Sequence, residues 1–169
     1  MKLNRILKIL GLKKEKVQVL QTNQKSKMEA TKVDFYYSNL INTLVLFAAT
    51  PEYLESLAGP VFNPISELET ELDYAFTPLL FNEIFKKKLI IEELKTDLLS
   101  FKYKVDKIPN DLWTWKNICE NFEWQKLRQE ANTLLDRIGI KNKVYNEDFT
   151  TIYDSEGNIV KERKYEIKE

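Results

Sequence analysis

Val33-Asp-Phe-Tyr-Tyr-Ser-Asn-Leu-Ile-Asn-Thr-Leu-Val-Leu-Phe-Ala-Ala-Thr-Pro51 is the stretch that decides how this chain folds. Its apolar residues recur as Val33, Tyr36/Tyr37, Leu40/Ile41, Leu44/Val45 and Phe47/Ala48. That is helical spacing, over a face broad enough for a central, buried helix. Phe35–Pro51 is uncharged for 17 residues but holds Ser38, Asn39, Asn42, Thr43 and Thr50. A membrane span wants about 20 mostly apolar residues, so a buried helix of a cytoplasmic, soluble domain is expected. Thr50 can cap a new short helix, with Pro51 in its first position and Gly59 stopping it.

Around this helix the charge is unevenly distributed. Val33–Phe85 contains no Lys or Arg, and its eight charges are all negative: Asp34, Glu52, Glu55, Glu67, Glu69, Glu71, Asp73 and Glu83. The 32 residues before it carry nine positive and two negative charges, and the remainder is nearly balanced. The formal net charge of zero therefore hides a basic arm and an acidic middle.

Outward from the centre the pattern stays helical. Ser26/Glu29 and Thr31/Asp34 have capping-box spacing and open the central helix. Asn63–Pro64 or Ser66 opens another, with the line Ile65, Leu68, Leu72, Ala75/Phe76. Thr77–Pro78 repeats the cap-then-proline signal before Phe81, Ile84/Phe85, Ile91, Leu94, Leu98, Phe101, Val105 and Ile108, with a possible break at Lys86–Lys88. Asn110 or Asp111 caps a helix with Leu112, Trp115, Ile118/Cys119 and Phe122. A last helix carries Leu127, Ala131, Leu134 and Ile138, and Gly139 ends it. Phe149–Tyr153 and Ile159–Ile167 flank a turn at Asp154–Asn158, a hairpin signal. The expectation is a mainly α chain: residues 1–28 a basic arm (a short amphipathic helix plus a linker), 29–142 a compact bundle of about five to six helices, and 143–169 a C-terminal β-hairpin packed on or extending from it.

Composition excludes much chemistry. The chain has no His and one Cys, Cys119. There is thus no His-dependent triad, no imidazole base, no disulfide and no thiolate metal cluster. Cys119 falls beside Ile118 on an apolar face and reads as a structural thiol. The Gly residues fall at helix ends and one turn, so no phosphate loop exists. The N-terminus shows no export signal, because Lys8 interrupts its apolar run. No cofactor or metal is expected, and the chain reads as no enzyme. The densest polar set, Glu67, Glu69, Glu71 and Asp73, splits on a helix into two pairs that flank the Leu68/Leu72/Ala75 line. It reads either as a solvated face or as a protein-binding patch. Trp113, Trp115 and Trp124 cluster in sequence. Trp115 fits the core stripe, Trp113 falls off it, and Trp124 sits just before the last helix.

Phe47-Ala-Ala-Thr-Pro-Glu-Tyr-Leu, the acidic Glu67–Asp73 segment and Glu123-Trp-Gln-Lys-Leu-Arg-Gln-Glu-Ala together resemble small, mostly helical bacterial immunity-type proteins. The resemblance implies a non-enzymatic binder that neutralises a toxin, and it carries over no individual residue. Independently, a surface of carboxylates would steer a basic protein partner and discourage nucleic acid. The expected contact set is Glu52, Glu55, Glu67, Glu69, Glu71 and Asp73, with Tyr53, Tyr74 or Trp113 as aromatic anchors. The alternative is a peripheral membrane or nucleic-acid accessory protein that contacts anionic surfaces through residues 1–32.

Overall fold

The computed structural model describes residues 33–60 and 62–145, and the backbone of 151–153 and 159–162. The chain divides into two compact units, Met1–Val33 and Asp34–Glu169, and only the second falls among the described residues beyond its boundary. The basic arm, with the anionic-surface contact expected of it, lies outside them.

The central helix forms as its apolar spacing predicts. Residues 33–48 are helical (α1), and every side chain from Tyr37 to Ala49 is buried. Burial on all sides exceeds an amphipathic stripe and takes in Ser38, Asn39, Asn42 and Thr43. Thr43 meets the cost of burying a hydroxyl by donating to its own helix at Asn39 O (2.9 Å) and to Glu71 O (3.3 Å).

The helices that enclose α1 begin and end where local chemistry dictates. Pro51–Leu57 (α2) is capped by the Thr50 hydroxyl, which accepts from Tyr53 N–H at 3.2 Å, with Pro51 in the first turn. Pro64–Ala75 (α3) is capped by Asn63, whose Oδ1 accepts from Ile65 N–H at 3.0 Å. Pro78–Lys86 (α4) also opens on a proline, but Thr77 does not cap it. The Thr77 hydroxyl donates backward to Asp73 O at 3.1 Å. The long apolar line breaks after Lys86, where Lys88 takes a left-handed φ of 58°. The Lys88 and Leu89 N–H groups then close onto Phe85 O and Ile84 O, a Schellman ending with Lys where Gly is usual.

Leu94–Asp106 (α5) comes next. The single helix expected from Asn110 to Phe122 is instead a 3₁₀ turn at Asn110–Leu112 and a short Trp115–Glu120 (α6) capped by Thr114. Asn121 then starts Phe122–Ile138 (α7), so Phe122 opens a helix and is 65% exposed rather than in the core. Trp124 lies inside α7 and is buried, with its indole N–H donating to Leu112 O at 3.0 Å. Gly139, at φ 99°, ends α7 with the same double closure seen at Lys88.

The described residues thus form a mainly α bundle of seven α-helices, one or two more than the expected count, because the long line from Phe81 to Ile108 divides in two. Helix α7 packs on α5 and α6. Ion pairs Asp97–Arg137 (2.6 Å) and Lys104–Glu130 (2.7 Å) run in opposite order along α5 and α7, which sets them antiparallel. Phe47 joins α1 to both, edge-on to Phe101 at 5.4 Å and stacked on Trp124 at 6.3 Å. Ile91, expected on the apolar line, is 60% exposed in the bend before α5. No helix among the described residues is long and apolar enough to cross a membrane. Most of the expected 143–169 hairpin falls outside the described residues. Beyond residues 143–145, only the backbone of Thr151–Tyr153 (β1) and Ile159–Glu162 (β2) is described, paired antiparallel with an irregularity at Ile152/Tyr153.

The end of α1 is tied from α7. Arg128 Nε donates to Ala49 O at 2.7 Å and its other arm to Ile118 O at 3.0 Å. Asn132 Nδ2 donates to Ala48 O at 3.1 Å, and Lys143 holds Asn132 Oδ1 at 3.2 Å. Arg128→Ala leaves two helix-end carbonyls without their charged donor. It should lower the unfolding free energy by about 2–3 kcal/mol in urea titrations at unchanged slope. Arg128→Lys should restore less than half, because one ammonium lacks the fork that spans both carbonyls. A loss below about 0.5 kcal/mol would show that water replaces the guanidinium.

Candidate functional site

The expected contact residues separate into three places. Glu69 and Asp73, one turn apart on α3 and both exposed, line a cleft of about 170 Å³ with the half-buried Trp113. Leu72, Val105 and Ile108 form its apolar side, and Asp106 and Asn110, at the end of α5 and the start of the 3₁₀ turn, complete it. Trp113 is braced edge-on against Trp124 at 4.8 Å, which fixes the ring at the cleft wall. Asn110 stands out in the sequence only as a helix cap and Asp106 not at all; they meet Glu69 and Asp73 because the end of α5 lies beside α3.

One cation among the described residues reaches two of these carboxylates. Lys102 Nζ lies 2.8 and 2.9 Å from the Asp106 carboxylate oxygens and 3.4 Å from Asp73 Oδ1. Burial works against its charge, but Asp106 and then Asp73 outweigh that and hold the ammonium above its usual range. Lys102 thus offsets one of the three carboxylates, and the cleft keeps a net negative charge.

Glu52 and Glu55 form the second place, both exposed on α2. Hydrogen bonding to its own backbone N–H and to the Thr50 hydroxyl keeps the Glu52 carboxyl below its usual range. Together with Glu120 these two acids act through space on Cys119, at the end of α6. Burial is the larger influence on Cys119 and pushes its thiol up, away from reactivity. Cys119 itself is half-buried, not fully enclosed as its apolar neighbour Ile118 suggests. Glu55 also borders a groove of about 410 Å³ lined by Ala58, Gly59, Phe62, Pro64, Ile65 and Trp115. Trp115, expected in the core, is half-buried at this wall.

The third place is the interior, and it corrects the acidic patch. Glu71 is 8% exposed, facing α1 where Thr43 meets its backbone carbonyl. The hydrophobic line of α3 is wider than Leu68/Leu72/Ala75 and takes Glu71 in with it. Among the described residues Glu71 Oε2 has no hydrogen-bond partner. Burial, helped by the nearby Glu67 charge, pushes the carboxyl up to about 7. Glu71 is therefore no part of a contact surface. Tyr53 is likewise engaged, since its hydroxyl accepts from Tyr145 N–H at 3.1 Å. Tyr74 remains 42% exposed with its ring edge-on to Phe35 at 6.4 Å, and Glu67 is half-buried.

The charge pattern distinguishes one side of the bundle from the other. Every carboxylate on α5 and α7 has a basic partner: Asp97 with Arg137, Asp106 with Lys102, Glu123 with Lys126, Glu130 with Lys104 and Asp136 with Lys143. On α2 and α3, Glu52, Glu55, Glu67 and Glu69 have none among the described residues, and Asp73 has only its share of Lys102. No group of three or more potential ligands among the described residues is placed to hold a metal ion. No family model matches the chain, and neither does any curated protein or solved structure.

Glu71 makes stability depend on pH. Its folded pKa of about 7 lies above the ordinary 4.5, so the folded state holds the proton more tightly. Stability should therefore fall as pH rises from about 4.5 and level off above about 7, by about 2–3 kcal/mol in all. Glu71→Gln should flatten that slope and be the more stable form at pH 8. Parallel slopes for the two proteins in urea titrations between pH 5 and 8 would show that the carboxyl is solvated.

Proposed function

We propose that this chain is a non-enzymatic protein-binding module, of the immunity type it resembles, whose acidic α2–α3 side occludes a basic protein partner. The observation that carries the reading is the convergence of Glu69, Asp73 and Asp106 on one cleft walled by Trp113. An ammonium or guanidinium entering it would meet the unpaired Glu69 and the Asp73 and Asp106 carboxylates that Lys102 only partly offsets, beside the Trp113 ring. The unpaired Glu52, Glu55 and Glu67 extend the same sign of charge along α2 and α3. Such a field speeds encounter with a cationic surface, and a nuclease toxin, which must itself bind phosphate, is the kind of partner that presents one. The C-terminal hairpin belongs to this proposal as an appendage to the helical domain, and the cytoplasm as its setting.

Glu67→Gln, Glu69→Gln and Asp73→Asn combined should reduce capture of basic protein from a native-cell lysate by at least about tenfold, equivalent to about 1.4 kcal/mol. Thermal unfolding should move by only a few degrees, because two of these acids have no ion pair to lose and the third has a long one. Capture by the unaltered chain should also weaken as salt is raised. Undiminished capture by the triple variant would remove this surface as the binding site.

A further inference from the structure

The geometry points to the groove beside Glu55 as the specificity pocket of that surface: it takes one bulky apolar side chain of the partner, flanked in the partner's sequence by Lys or Arg. This rests on the protein-binding reading above and adds the chemistry of the contact. The groove is built from the end of α2, the turn at Gly59 and Phe62, the start of α3 and the first residue of α6. Its walls are Ala58, Phe62, Pro64, Ile65 and Trp115. Phe62 is fixed by its ring contact with Tyr145 at 5.5 Å, and Asn63 is held by capping α3. The walls are therefore set before anything binds. At about 410 Å³ the groove lies toward the small end of ligand-sized pockets, which run to roughly 300–1,000 Å³. That suits one or two side chains, not a whole helix.

Gly59 shows that the space is open for a reason other than backbone geometry. Helix α2 already ends at Ala58, with extended backbone, and Gly59 does not adopt a positive φ. A Cβ at Gly59 would meet no atom within 4 Å. Glycine is thus not required by the turn, in contrast to Gly139. What it contributes is a stretch of the groove's lining without a side chain.

The charge around the groove selects its occupant. Glu55 is the sole charged residue of the lining, and it has no ion pair among the described residues. Glu52, one turn away on α2, is likewise unpaired, and Glu120 stands nearby at the end of α6. On α3, Ile65 of the groove and Glu69 of the acidic cleft are one turn apart, so the two recesses adjoin along a single helix face. A small ligand would need several converging polar groups to orient it, and this groove offers one. A chain segment running along α3 would instead place an apolar residue in the groove and basic residues against Glu55 and toward Glu69.

A display library of random dodecapeptides, selected on the full chain, tests this. Enriched peptides should combine a Trp, Phe, Leu or Met with neighbouring Lys or Arg. The Kd of a synthesised winner, read by fluorescence anisotropy, should rise at least tenfold with Gly59→Leu, which puts a side chain into that stretch, and with Glu55→Lys, which reverses the rim. Both positions are exposed, and unchanged thermal unfolding of each variant would confirm that the fold is intact. Winners whose Kd responds to Glu69→Gln and Asp73→Asn but to neither groove variant would overturn the groove and leave the acidic surface standing. Winners without basic residues, or no enrichment at all, would overturn both.

Discussion

The last carbonyls of α1 end inside the protein, and the side chains of Arg128 and Asn132 make that possible. A helix end leaves carbonyls without partners, and burying them unpaired would cost more than the packing of one core residue returns. The Arg128 guanidinium bonds Ala49 O and Ile118 O together, so one side chain satisfies the ends of α1 and α6 from the middle of α7. Burial lowers its pKa, with some support returned by the charges of Cys119 and Glu52, yet an arginine keeps its proton at any ordinary pH. Phe47 adds the apolar half of the same junction through Phe101 and Trp124. With that corner fixed, α2 leaves at Thr50–Pro51 in a set direction, and the α2–α3 side is presented as a rigid surface.

That surface differs from the rest of the molecule in how its charges are used. On α5 and α7 each carboxylate meets a base on its own helix, on the neighbouring helix or, for Asp136, just beyond the end of α7. Exposed pairs of this kind add little stability each, about 0–1 kcal/mol, but they leave no net field. On α2 and α3 only Asp73 has an ion pair among the described residues, so the acids there keep a net negative field that adds repulsion rather than folding energy. Glu71 marks its limit: where the acidic segment turns inward, burial pushes the carboxyl up to about 7 and weakens its part in the field.

Several features were legible in the residues themselves. Thr50, Asn63 and Gly139 end or begin helices for local reasons, and each does so here. The core stripes of α5 and α7 obey their spacing, through Leu94, Leu98, Phe101 and Val105 and through Leu127, Ala131, Leu134 and Ile138. Ile91 and Phe122 did not, because a left-handed Lys88 and the Asn121 cap interrupt the helices and rotate the register beyond them. The pairing of Glu67/Glu71 and Glu69/Asp73 beside the apolar line suits a solvated face or a contact patch, yet Glu71 is buried. Its burial depends on how closely α1 approaches α3, which no pattern within α3 encodes.

By itself the sequence determined the mainly helical class, the central place of residues 33–48 and the sign of charge on the α2–α3 segment, since spacing, capping and charge are local properties. Only the tertiary structure decided that Glu69, Asp73 and Trp113 share a cleft with Asp106, that Glu71 does not, and that Gly59 opens a groove beside Glu55. Those depend on the end of α5 coming to lie beside α3 and on the return of the chain through Trp113 and Trp115, where residues far apart in sequence become neighbours through packing.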